Sequence, residues 1–280
     1  MCGQDLAWGV VIWGGCRFWP EQPLILVKNH ALLAAAAVGQ FFSGCSLSCV
    51  YCQNEEISQR YHGVEITVPR LRKIFAELVA LGAHNINLVN PTHFAPAIAE
   101  ALERPLPVPV VYNCSGYESV STLRLLEGKI QVYLPDYKYA LAEPALLYSQ
   151  VPDYPQVATL AIKEMFRQRG AYQFDDAGLL QSGVLIRHLV LPGNLSNTYQ
   201  VIDWLTNNFQ SGQVLFSLMG QYTPCGDLHK FPELQQTLTK EEYAKAEACL
   251  LATGWEDGYL QEPEAAVCEA IPAFDLTGVI

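Results

Sequence analysis

Positive charge is scarce in this chain of 280 residues, where 17 Lys and Arg stand against 28 Asp and Glu for a formal net charge of −11. A protein that neutralises phosphates needs a basic patch or stripe. No Lys/Arg-rich run supplies one, so nucleic acid is not expected as a partner. Long apolar runs are missing as well. The longest stretch of small apolar residues, Ala31 to Val38, falls far short of the ~20 residues that span a bilayer, and no membrane association is expected. It has the look of a secretory h-region, but it starts too far into the chain and is followed by reduced-thiol chemistry. No internal repeat or low-complexity linker is visible. The nine cysteines are an odd count, spread without framework spacing except at one place, which fits a reducing cytoplasm better than a disulfide scaffold.

What is present is apolar residue in plenty. Half of the residues are hydrophobic, enough for the core of one large α/β domain. From about residue 38, short β-branched runs alternate with helical patterns, as in βαβ units on a parallel sheet. Strands are expected near residues 39–43, 85–89, 108–113, 131–134, 185–191 and 214–219. One helix should open at Thr67, carry Leu71, Ile74, Phe75 and Leu78 on one face, and stop at Gly82. Another should begin with the capping box Thr239-x-x-Glu242 and end by Gly254. Six strand-helix repeats close only part of an eight-fold barrel, so the expected fold is a partial (β/α)6 barrel of the TIM type. In such a fold, reactive groups sit at the carboxyl ends of the strands and in the loops beyond them.

One such loop is Gly44-Cys45-Ser46-Leu47-Ser48-Cys49-Val50-Tyr51-Cys52-Gln53-Asn54, directly after the first of these strands. Its C-x3-C-x2-C spacing lets three thiolates wrap one face of an iron-sulfur cubane, leaving the fourth iron without a protein ligand. Three other readings stay open at this point. A structural zinc site would need a fourth ligand, for which His62 is near enough to be considered. Buried structural cysteines are common, although three in a polar loop are unusual. An electron-transfer cluster would need four cysteines.

With Tyr51 in the aromatic place, this loop resembles the hallmark of the radical S-adenosylmethionine superfamily. More narrowly, Phe42-Ser43-Gly44-Cys45 through Tyr51-Cys52-Gln53-Asn54, then Asn85-Ile86-Asn87-Leu88-Val89-Asn90-Pro91-Thr92-His93, is similar to relatives of the pyruvate formate-lyase activating enzymes. The likeness continues through Tyr133-Leu134-Pro135-Asp136-Tyr137-Lys138, Arg187-His188-Leu189-Val190-Leu191-Pro192-Gly193-Asn194 and Gln221-Tyr222-Thr223-Pro224. It implies one [4Fe-4S] cluster on Cys45, Cys49 and Cys52, with S-adenosylmethionine chelated at the open iron. Reductive cleavage would yield a 5′-deoxyadenosyl radical that takes a hydrogen atom from a substrate. An electron donor such as flavodoxin or ferredoxin is implied as a partner, and a glycyl radical enzyme as one form of the substrate. The rival class is a non-catalytic iron-sulfur or zinc-binding module.

Several strand-end residues become cofactor-binding candidates beside Tyr51. Asn90, Thr92 and His93 stand where activating enzymes carry a Gly-Gly-Glu type motif that receives an ammonium group; the plainer reading is an Asn-Pro turn into a helix capped by Thr92. Asn113 and Ser115 end the third strand with groups suited to ribose hydroxyls, and Cys114 between them reads as a buried filler. Asp136 and Lys138 lie two apart and share a side; the resemblance implies contact with the carboxylate of S-adenosylmethionine or with a bound cation, and the plainer reading is a structural ion pair. In the related motif Arg187 faces the cofactor, and His188 then faces the helices as a core residue. Residues 38–260 are expected to form the core barrel and residues 261–280 a tail packed on it. Residues 1–37, a poor match, are expected to form an irregular amino-terminal extension, altered or truncated relative to that family. No catalytic side chain is assigned.

Overall fold

A computed structural model describes residues 8–12, 37–60 and 63–261. His62 and most of the expected extension and tail, with Cys2 and Cys268, lie outside these residues.

The central structure is a parallel sheet whose strands lead into helices. Strand β1 (Trp8–Ile12) is followed by β2 (Ala37–Phe42), the short helix α1 (Glu55–Ser58), β3 (Val64–Ile66) and α2 (Val68–Ala80). Next come β4 (Asn85–Val89), α3 (Ala95–Ala101), β5 (Val110–Cys114), α4 (Val120–Leu125), β6 (Val132–Pro135), α5 (Ala142–Ser149) and α6 (Tyr154–Arg169). The chain continues through β7 (Gln173–Phe174), β8 (Leu180–Leu189), α7 (Leu195–Asn208), β9 (Leu215–Met219), α8 (Lys240–Ala252) and β10 (Gly258–Gln261).

Strand order is β10-β9-β8-β6-β5-β4-β2-β1-β3, and the pairs from β2 to β10 are all parallel. The two ends of this path do not meet, so the barrel stays open. All six expected strands are present. The sheet is longer than expected in two ways, since β10 adds a seventh parallel strand and β1 pairs antiparallel with both β2 and β3. Strand β8 also starts five residues earlier than the expected 185, because Leu180 and Ser182 pair with β7 in a hairpin.

Helix α2 follows its sequence closely. Thr67 caps it by accepting from the Arg70 amide, and Leu71, Ile74, Phe75 and Leu78 are its buried face. Helix α8 has the complete capping box of Thr239 and Glu242. Strands β5 and β6 are buried almost throughout, as parallel strands covered on both faces must be. Among the described residues, no helix is long and apolar enough to cross a membrane.

Phe75 is fully buried against this sheet, so Phe75→Ala leaves a cavity that the helix cannot collapse into. The expected cost is about 3–5 kcal/mol, read as a lowered urea midpoint with an unchanged denaturant slope.

Candidate metal and cofactor site

The three cysteines lie where β2 ends, on a loop that the rest of the fold ties down. Gly44, at φ +86, donates its amide to Ile57 O (2.8 Å), and Val50 donates to Tyr148 O (2.9 Å) at the end of α5. The side chain of Asn90 donates to the Gly44 carbonyl, and Cys225, beyond β9, donates its Sγ hydrogen to Tyr51 O at 3.1 Å. The loop is therefore gripped by segments up to 174 residues away.

Burial raises the thiol of Cys45, with Leu47 and Lys138 acting against it, and pushes Cys49 up to about 11 against the pull of Lys138 and Ser149. Each thiol also feels the charge of Cys52, which puts the three sulfurs within electrostatic reach of one another. Cys45 and Cys49 are protonated at neutral pH, so metal uptake at these two must release protons. Among the described residues, no three Cys, His, Asp or Glu side chains close around one point as a single ion requires. Three thiols on one short loop are a soft donor set of the kind that suits an iron-sulfur cluster.

A second constellation lies beside the loop. Asp136 Oδ1 is 2.7 Å from Arg187 Nη2, and its Oδ2 is 2.7 Å from Lys138 Nζ. Arg187 Nη2 also donates to Asn113 Oδ1 at 2.7 Å. Burial works to raise the Asp136 carboxyl, but Arg187 and Lys138 overcome it and hold the group below the usual carboxylate range. Four of the expected cofactor residues thus form one network. It holds two cations and one carboxylate, an excess of one positive charge. Ser115 Oγ and Arg187 Nε are buried without a hydrogen-bond partner, a state that buried polar groups rarely keep unless a ligand or water completes them. These unpaired donors and the positive excess fit a polar, anionic ligand.

Backbone geometry brings the strand ends this close. Gly116 adopts φ +78, and a Cβ there would stand 2.1 Å from Asp136 O. Tyr154 OH accepts from the Lys138 amide (2.9 Å) and lies 2.8 Å from both Ser115 O and Asp136 O, which locks β5 to β6.

The remaining expectations divide. Asn90, at φ +57, spends its side chain on the cysteine loop rather than on open space. Thr92 does not cap a helix; its hydroxyl donates to Glu118 Oε1 at 2.5 Å. Thr92 and the exposed His93 line a cavity of about 530 Å³ that Ser46, Tyr117, Glu118 and Ser119 also border. Tyr51 is buried, its hydroxyl 2.7 Å from Tyr139 OH. His188 is a core residue as expected, its ring 2.8 Å from Tyr137 O and 3.0 Å from Thr198 Oγ1. Burial takes it down to about 4, so it is neutral at physiological pH.

Glu118 was not legible in the sequence. It follows a turn and precedes a short helix, a place where Glu is common and exposed. Here it is 1% exposed and accepts from Thr92 and from Tyr112 OH (3.1 Å). Burial pushes its carboxyl up to about 7, with the Thr92, Tyr112 and Cys114 hydrogen bonds pulling the other way.

No family model matches the chain. It is 30% identical over 235 residues to the uncharacterized protein MJ0674 of Methanocaldococcus jannaschii, a match covering 79% of this chain and 62% of that one. The chain thus spans less than two thirds of that relative's length. Among solved structures, Streptococcus suis SuiB, bound to its precursor peptide SuiA, is similar at TM-score 0.52 and 11% identity, over 84% of this chain and 51% of SuiB. Methylornithine synthase (PylB) aligns at TM-score 0.49 and 13% identity, over 81% and 71%. The fold shared with SuiB is the open, partial (β/α) barrel.

Because Glu118 binds its proton more tightly folded than unfolded, wild-type stability falls as pH rises from about 4.5 to about 7. Glu118→Gln should lose that part of the fall, an effect of up to ~3 kcal/mol. Urea unfolding of both proteins at pH 5 and pH 8 checks it; parallel changes in the two would remove Glu118 as the cause.

Proposed function

We propose that the chain is a radical S-adenosylmethionine enzyme, related to the pyruvate formate-lyase activating enzymes and acting in the cytoplasm. The observation that carries this reading is the three-cysteine loop at the carboxyl end of β2, set beside the Asn113–Arg187–Asp136–Lys138 network with its unpaired positive charge. Cys45, Cys49 and Cys52 would hold three irons of a [4Fe-4S] cluster. When bound and reduced, that cluster supplies the electron that cleaves S-adenosylmethionine to methionine and a 5′-deoxyadenosyl radical.

The chain's own residues bind and orient. Lys138 and Arg187 offer their excess positive charge to a carboxylate, with Asp136 keeping both in place. Asn113 and Ser115 suit ribose hydroxyls, and Thr92 and His93 form the wall of the cavity next to the cysteine loop. Glu118, its carboxyl pushed up to about 7 by burial, ionises fully when a cationic group enters that cavity. The protein's task in such chemistry would be to position the cofactor and exclude water from the radical.

For the hydrogen donor, the likeness to activating enzymes and the peptide seated in SuiB both favour a polypeptide, a glycyl radical enzyme in the first case. A flavodoxin or ferredoxin would deliver the electron. The rival is a passive iron-sulfur module with the same three thiolates. Anaerobic reconstitution with iron and sulfide, then dithionite and S-adenosylmethionine, separates the two: the enzyme releases 5′-deoxyadenosine and the passive module does not. Each of Cys45→Ala, Cys49→Ala and Cys52→Ala should lose the cluster's iron and all of this product.

Lys138→Met should weaken S-adenosylmethionine binding by roughly ten- to a hundred-fold, a loss of 1.5–3 kcal/mol. The melting temperature should change little, because Arg187 still neutralises Asp136. Calorimetric titration and thermal unfolding of one sample test both halves. Unchanged affinity with a lowered melting point would make the pair structural.

A further inference from the structure

The fold sets one hydrogen-bond donor against each sulfur of the cysteine loop. The Leu47 amide donates to Cys45 Sγ at 3.4 Å, the Ser58 hydroxyl is 3.2 Å from Cys52 Sγ, and the Ser149 hydroxyl donates to Cys49 Sγ at 3.0 Å. For Cys49 the donor belongs to a longer series. Ser149 Oγ lies 2.8 Å from Tyr139 OH, which lies 2.7 Å from Tyr51 OH.

A serine or tyrosine hydroxyl has a single hydrogen to give. Once Ser149 gives its hydrogen to a thiolate, it can only accept from Tyr139, and Tyr139 can then only accept from Tyr51. All three bonds must point toward the sulfur. The three residues are buried, so bulk water does not compete, and hydrogen bonds aligned in series polarise one another.

We propose that Tyr51, Tyr139 and Ser149 form a directed hydroxyl chain that sets the reduction potential of the cluster through Cys49. This rests on the cluster reading of the preceding section. The step concerned is a one-electron reduction by an external donor, in which the cluster goes from the 2+ to the 1+ state with no bond or proton transferred. The added negative charge spreads onto the ligand sulfurs, so a donor aimed at one of them stabilises the reduced state more and raises the potential. Ser149, Tyr139 and Tyr51 act on the cluster through Cys49 and are positioning residues in this sense.

The test is a redox titration, followed by electron paramagnetic resonance, of reconstituted wild type, Ser149→Ala, Tyr139→Phe and Tyr51→Phe. Ser149→Ala should keep its iron content and shift the midpoint negative by about 59 mV, a ten-fold change in the reduced-to-oxidised ratio. Tyr139→Phe should shift it in the same direction by less, and Tyr51→Phe by less again. If Ser149→Ala fails to fold, the two tyrosine variants carry the test by their graded shifts. A wild-type potential in Ser149→Ala, or a Tyr51→Phe shift larger than that of Tyr139→Phe, overturns the proposal while the cluster reading stands. A wild type that takes up no cluster overturns the reading itself.

Discussion

One carboxylate shared by two cations organises the open end of this barrel. Asp136 pairs with Lys138 from its own strand end and with Arg187 from the neighbouring strand. Alone, a largely buried Asp136 would be costly to ionise, and either cation alone would be costly to bury. Together they hold β6 against β8 at the height where ligands bind in α/β barrels. Because two positive charges meet one negative, the network is not self-sufficient. The positive excess and the unpaired Nε of Arg187 make the same residues that stabilise the strand ends receptive to an anion.

The cysteine loop depends on the barrel in a different way. Burial raises the thiols of Cys45 and Cys49, so the apoprotein keeps these two neutral and does not gather three negative charges in one place. A positively charged cluster of the kind proposed would reverse that preference, and Lys138 already contributes an opposing charge to both Cys45 and Cys49. The ion network and the cysteine loop are thus electrostatically coupled. Hydrogen bonds with Asn90, with the neighbouring Tyr148 and Ser149, and with Cys225 then fix the loop to three separate parts of the chain. That degree of cross-linking suits a site whose ligands must be held at set distances without metal present to hold them.

Much of this was readable from local pattern. Alternation of strand and helix periods placed all six barrel strands, and the caps at Thr67 and Thr239 marked two helix starts, because capping needs only residues three apart. The missed strands β1 and β10 have no such mark. Their residues become strands by pairing with β2, β3 and β9, partners far away in the chain. For Thr92 the same local logic offers a helix cap beside the cofactor reading, and its hydroxyl goes instead to Glu118, 26 residues on.

The sequence by itself determined the spacing of Cys45, Cys49 and Cys52, the position of that loop after a strand, and the placement of Asp136 and Lys138 at one strand end and of Arg187 within another strand. These follow from short-range periodicity and from the limited reach of a loop. Only the tertiary structure decided that Asp136 would be shared, that Glu118 would be buried with a carboxyl titrating near neutrality, and that Ser149 would donate to Cys49 from 100 residues away. Burial and charge depend on which distant segments meet in space. That is a property of the folded sheet and not of any window along the chain.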